Sequence, residues 1–141
     1  MTIVRLPPEI RTVLDNGVPA LMATCSADGT PNVTVISQVY YVDDSHVALS
    51  FQFFNKTIKN VRENPRAWVG LVDFMGQSDW ALDLEFEHSE TEGPIFDAMD
   101  MQIEAIASAT GMSGIFKLRA ADIYRVLAVE RRPYDHSDGR S

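Results

Sequence analysis

Along most of this chain hydrophobic residues recur at every second position, the spacing of a half-buried strand, and three stretches carry the three-to-four spacing of a helix. Pro7 and Pro8 open the first helix, Ile10, Val13 and Leu14 line one face, and Gly17 closes it. Val18 to Cys25 reads as a strand, and Asp28-Gly29 is a hairpin signal after which the chain turns back. The run NVTVISQVYYV, residues 32–42, reads as one strand with both faces partly apolar. Val33, Val35, Val39 and Tyr41 fall on one side and Thr34, Ile36, Gln38, Tyr40 and Val42 on the other, which predicts a central position in a three-stranded meander. Asp43-Asp44-Ser45 forms a turn before the alternating Val47, Leu49, Phe51 and Phe53.

The second helix starts at Asn55 as its N-cap, places Phe54, Ile58 and Val61 on one side, and stops at Asn64-Pro65. Ala67 to Phe74 is a further strand, and Trp80, Leu82, Leu84 and Phe86 alternate with Ala81, Asp83, Glu85 and Glu87 in a strand with one wet face. Pro94 opens a third helix with Ile95, Met99, Ile103 and Ile106 as its stripe and Gly111 at its end; GIFKLRAADIYRVLAVE closes the pattern as one long or bent strand. Six strands separated by turns, with few and short helices, predict a mainly β, antiparallel sheet curled into a small barrel with helices at its flanks. Residues 1–132 read as a single domain and 133–141 as a polar tail, expected to be mobile.

Length and composition narrow the picture further. With 141 residues, 45% of them hydrophobic, the chain suits one core. A net charge of −8 excludes a general nucleic-acid binder, which needs a basic face. Cys25 is the single cysteine, so no internal disulfide exists; it reads as a small buried hydrophobe suited to a reducing interior. No apolar run approaches ~18 residues, and the start MTIVRLPPEI lacks the succession of a signal peptide, so the expectation is a cytoplasmic protein that crosses no membrane. There is neither GxGxxG nor GxxxxGK[ST], and His46, His88 and His136 have no metal-ligand spacing, so the expectation includes no metal. No residue stands out as a catalytic acid or base. Trp80 and Tyr124 could stack on a planar ligand or fill the core.

One local feature runs against the acidic whole. Between Leu49 and Arg66 four cations, Lys56, Lys59, Arg62 and Arg66, face the single acid Glu63. Lys56 sits at the first helical position, where the helix dipole favours an acid. An external anion would satisfy the free N–H groups, the Lys56 ammonium and the Thr57 hydroxyl together; a Lys56 pointing into water is the other reading.

The ordered segments ATCSADGTPNVTVISQV and HVALSFQFFNKTIKNVRENPRAWV resemble the pyridoxamine 5′-phosphate oxidase-like, FMN-binding split-barrel superfamily over residues 10 to 90, and IFKLRAADIYRVLAVE is similar to the closing strand of a bacterial subgroup. The resemblance implies a six-stranded split β-barrel of Greek-key type and a homodimer with FMN at the subunit interface. It places Thr34, Val35, Ile36, Ser37 and Gln38 along the flavin, Ser50, Phe51, Gln52 and Phe53 on the following strand against it, and Lys56 and Thr57 at the phosphate. A second cation of the family falls here on Thr57, and its first-strand arginine on Val33. The carboxy-terminal arginine and histidine motif of the true oxidase has no match in RRPYDHSDGRS. The function implied is an FMN-dependent oxidoreductase acting on a small substrate. The alternatives are a non-catalytic flavin-binding or sensory module, or a barrel holding a deazaflavin or haem. Strand faces such as Val39, Tyr41 and Phe53 are expected to serve the dimer.

Overall fold

The structure, a computed structural model, describes residues 4–15, 20–36, 38–51, 60–73, 75–109, 111 and 118–134. In chain order it comprises α1 (Glu9–Asp15), β1 (Ala20–Cys25), β2 (Pro31–Ile36), β3 (Val39–Asp43), β4 (His46–Phe51), α2, of which residues 60–63 are described, β5 (Arg66–Asp73), β6 (Ser78–Glu90), α3 (Pro94–Ala109) and β7 (Ala120–Pro133). The seven strands form one antiparallel sheet in the order β2-β1-β5-β6-β7-β4-β3.

The expected six strands are seven because residues 32–42 do not form one central strand. β2 pairs with β1 and β3 with β4, so the two halves of that run lie at opposite edges of the sheet, and no meander forms. The side-chain parity breaks at the same place. Val33 and Val35 point outward, whereas Ile36 and Val39, three residues apart, both enter the core. Seven strands laid flat would separate the edges by ~29 Å, six spacings of ~4.8 Å. The three Cα steps from Ile36 to Val39 reach at most ~11 Å. The sheet is therefore curled until its edges meet at this corner, although no ladder joins β2 to β3 among the described residues and the sheet is not closed.

The β1–β2 hairpin forms where Asp28-Gly29 predicts it. Gly29 takes φ 88°, a left-handed value that glycine adopts without strain, and Ser26 N–H donates to the Thr30 carbonyl at 2.9 Å. Two register shifts in the long β6–β7 ladder, at Asp83/Leu84 and Phe86/His88, bend these strands around the curl.

Curling creates two hydrophobic layers. Inside lie Met22, Ile36, Val47, Leu49, Val69, Leu71, Trp80, Leu82, Leu84, Tyr124 and Val126, closed over by Ile10, Val13 and Leu14 of α1. Outside, α3 sets Met99 and Ile103 of its predicted stripe against Ala48, Ala121 and Ile123. Strands β4 and β7 are thus apolar on both faces. The tail beyond residue 134 lies outside the described residues.

Candidate functional site

The sequence-predicted site residues separate according to strand parity and the corner. Ile36 is buried in the inner core, Thr34 is half-buried, and Val35 projects outward opposite Leu21. Gln38 and Ser50 come together. Ser50 N–H points at the Gln38 carbonyl at 3.5 Å, and both side chains are buried. Phe51 ends β4 opposite Ala120. Ser37, Gln52, Phe53, Lys56 and Thr57 lie outside the described residues.

The Gln38 amide nitrogen donates to the Met99 carbonyl at 3.4 Å and to the Gln102 side-chain oxygen, tying the corner to α3. Its Oε1 and the hydroxyl of Ser50 are buried without a hydrogen-bond partner. Leaving a buried polar atom unpaired costs about 1–3 kcal/mol. Gln38, just before β3, and Ser50, on β4, thus carry an unpaired acceptor and an unpaired donor–acceptor.

A second polar set borders this corner. Ser89 donates its hydroxyl to Asp122 at 2.6 Å, and Asp122 lies opposite Leu49 and Ser89 at the start of β7. Burial pushes the Asp122 carboxyl above its ordinary range, while the Ser89 bond and the Arg62 charge act the other way. Asn60, on the last described turn of α2, is buried and donates to the Thr24 hydroxyl at 3.1 Å, and Asn64 N–H caps back to the Asn60 carbonyl at 2.7 Å. The described end of α2 is thereby pinned to β1, a contact between residues 36 apart that no local pattern announces.

Burial decides between open readings and corrects others. Trp80 and Tyr124 fill the core, being 3% and 1% exposed, and Tyr124 meets Phe86 edge-on with ring centroids 5.4 Å apart. The half-exposed tryptophan is Trp68. Val39 lies in its own chain's core and is not free for a neighbour; Tyr41 is half-buried, packed against that core beneath the Arg11 guanidinium, 4.8 Å from its ring centre, and Phe53 lies outside the described residues. Cys25 is only half-buried. Glu85 and Glu87 lie on the solvent-facing side of β6 as read, and there pair with Arg125 at 2.7 Å and His46 at 3.1 Å. Among the described residues no group of three or more His, Cys, Asp or Glu is placed to hold a metal, and no helix is long and apolar enough to cross a membrane.

The family profile described as pyridoxamine 5′-phosphate oxidase matches residues 6–127. The chain belongs to the pyridoxamine 5′-phosphate oxidase family. Another sequence similar to this family member is an uncharacterized protein of Methanocaldococcus jannaschii, 36% identical over 67 residues, which are 46% of this chain and only 44% of that protein's length. Among solved structures, an FMN-binding protein from Syntrophomonas wolfei superposes with a TM-score of 0.70 at 16% identity, over 86% of this chain and 82% of its own. HutZ, the haem storage protein from Vibrio cholerae, superposes with a TM-score of 0.59 at 16% identity, over 91% of this chain and 95% of its own. At such identities these likenesses speak for the fold shared across the family.

Proposed function

We propose that this protein is a flavin-binding member of the family, a split barrel of Greek-key type that holds FMN between two copies of the chain and exchanges electrons with a small substrate in the cytoplasm. The observation that carries the reading is the pair of unpartnered buried atoms, Gln38 Oε1 and Ser50 Oγ, at the corner where the family's flavin is expected. The imide edge of an isoalloxazine ring presents C=O, N–H and C=O in a row, and an amide oxygen beside a hydroxyl is a matching set. Thr34, Val35, Ile36, Ser37, Phe51, Gln52 and Phe53 would complete the ring's surroundings, with Lys56 and Thr57 at the phosphate. Bound FMN would supply the redox chemistry, and this chain's part is to orient the ring and exclude water. Haem, suggested by the likeness to HutZ, is disfavoured by the described histidines: His46 is engaged by Asp43 and Glu87, and His88 by Glu90.

Titration with FMN and riboflavin tests the reading. Both should quench flavin fluorescence on binding. Lys56→Glu should weaken FMN at least about tenfold, the loss of a charge-assisted contact of about 1.4 kcal/mol or more, and leave riboflavin unchanged. Gln38→Leu should weaken both ligands. A protein that takes up neither ligand overturns the flavin reading. Anaerobic reduction of the bound flavin by NADH or NADPH separates an oxidoreductase from a non-catalytic module. Pyridoxamine phosphate should not be turned over, since the oxidase's terminal motif is absent; formation of pyridoxal phosphate above the rate of free FMN would contradict this.

A further inference from the structure

The unpaired oxygen of Gln38 has a definite direction, and α3 imposes it. The carboxamide nitrogen of Gln38 faces two acceptors, the Met99 carbonyl at 3.4 Å and the side-chain oxygen of Gln102. Met99 and Gln102 are three residues apart on α3 and so fall on one side of the helix. A backbone carbonyl accepts and never donates, so the end of the amide that meets it is the NH2. At 3.4 Å that bond is longer than an ordinary N–H···O bond, which leaves the Gln102 side chain as the main restraint.

A carboxamide is planar, and its oxygen and nitrogen diverge from one carbon. A nitrogen held against α3 therefore turns the oxygen away from Met99 and Gln102. That oxygen is buried and has no partner among the described residues, and neither has the Ser50 hydroxyl. Water does not compete for them, and burial makes an unmet hydrogen bond costly. An acceptor of fixed direction is selective in a way that a freely turning amide is not. It takes a ligand edge that carries an N–H and penalises an edge that offers acceptors only, because two acceptors then face one another in a dry site. The Ser50 hydroxyl adapts to either edge, since it can donate or accept.

We propose that Gln102 is a positioning residue for the amide of Gln38: by accepting from its nitrogen it fixes the corner as an acceptor site, specific for a ring edge that bears a neutral imide N–H. The proposal rests on the flavin reading above and names the feature of the ring that is selected. Gln102 acts through Gln38 and not on the ligand.

Riboflavin and riboflavin methylated at its imide nitrogen are the probes, so the phosphate plays no part. The wild type should bind the methylated ring at least about tenfold more weakly, the loss of one hydrogen bond to a buried acceptor. Gln102→Met keeps the length and helix propensity of the side chain without a comparable acceptor, and should narrow that ratio at least about threefold with circular dichroism unchanged. Gln102→Glu retains an oxygen for the Gln38 nitrogen and should preserve the wild-type ratio. A clash between the added methyl and its surroundings would weaken binding equally in all three proteins, so a change in the ratio reports the amide. The wild-type ratio needs no variant and is a test by itself. A wild type that takes up neither ring overturns the flavin reading together with this proposal. A wild type that binds both rings alike, a ratio that Gln102→Met leaves unchanged, or one that Gln102→Glu narrows as much as Gln102→Met does, overturns this proposal alone.

Discussion

Replacing His46 with glutamine should cost stability at mildly acidic pH and progressively less as pH rises. The imidazole bridges the β3–β4 turn to β6: Nδ1 stands 3.0 Å from Asp43 Oδ1 and Nε2 3.1 Å from Glu87 Oε1. The hydroxyl of Ser45 is 2.9 Å from Nδ1, and Arg125, opposite His46 in the ladder, is occupied by Glu85 at 2.7 Å. Only the doubly protonated ring can donate to both carboxylates. Burial by itself lowers the pKa of His46, but the bonds and charges of Asp43 and Glu87 outweigh it and the net direction is upward from 6.5. With the folded pKa above the unfolded one, the native state holds the extra proton, so the contribution is complete below pH 6.5 and disappears as pH climbs through the raised value. The carboxylates are 55% and 36% exposed, which limits each ion pair to about 0.2–1 kcal/mol. Together they amount to about 0.5–2 kcal/mol, or roughly 2–6 °C in Tm for a chain of this size. Thermal melts of the wild type and His46→Gln from pH 5.5 to 9 check this. A gap in Tm that stays constant over that range would refute the argument, because it would show the ring acting through packing and not through charge.

Three further outcomes are expected. Gly70→Ala should displace the indole of Trp68, whose tip lies 2.5 Å from the added Cβ; because Trp68 is half-exposed it can swing away, so the cost should be about 1 kcal/mol, with a shift in tryptophan emission. Asn60→Ala should destabilise by about 1–3 kcal/mol in urea melts, and the double variant with Thr24→Val should cost less than the two singles summed, since both remove one bond. Asp122→Asn keeps an acceptor for Ser89 and removes a buried charge. Burial raises the Asp122 pKa from 3.8, so wild-type stability declines as pH rises through that raised value, and at pH 7 the variant should be at least as stable; a clear loss there would contradict the assignment.

Much of the fold was legible because strand parity and turn chemistry are local. The Asp28-Gly29 hairpin, the Asp43–Ser45 turn, the alternation of β6 and the opening of α3 at Pro94 all stand where the residues predict them. The corner at Ile36–Val39 was not legible, since a strand that changes edges looks locally like one that continues; Ser37-Gln38, polar between apolar runs, was its signal. Parity alone also cannot say which face of a strand turns inward, so Trp80 and Tyr124 were candidates for stacking while Trp68, two residues from a glycine, went unnoticed. Of the site, Gln38 and Ser50 were reached through family resemblance. Their cover by Gln102 and the pairing of Ser89 with Asp122 depend on contacts 33 to 64 residues apart.

The strand order also dictates how the molecule can be assembled. Strands β2, β1, β5 and β6 form one ribbon, β3 and β4 another, and among the described residues the only hydrogen-bonded seam between them is β7, which follows all six in the chain. A ribosome delivering these strands in order releases two half-sheets with open inner edges on β6 and β4, joined covalently but by no ladder among the described residues. The six strands must wait, their core faces half-covered, for β7 to zip them together. The interval before Ala120–Pro133 emerges is therefore the time at which a strand from another nascent chain could take its place.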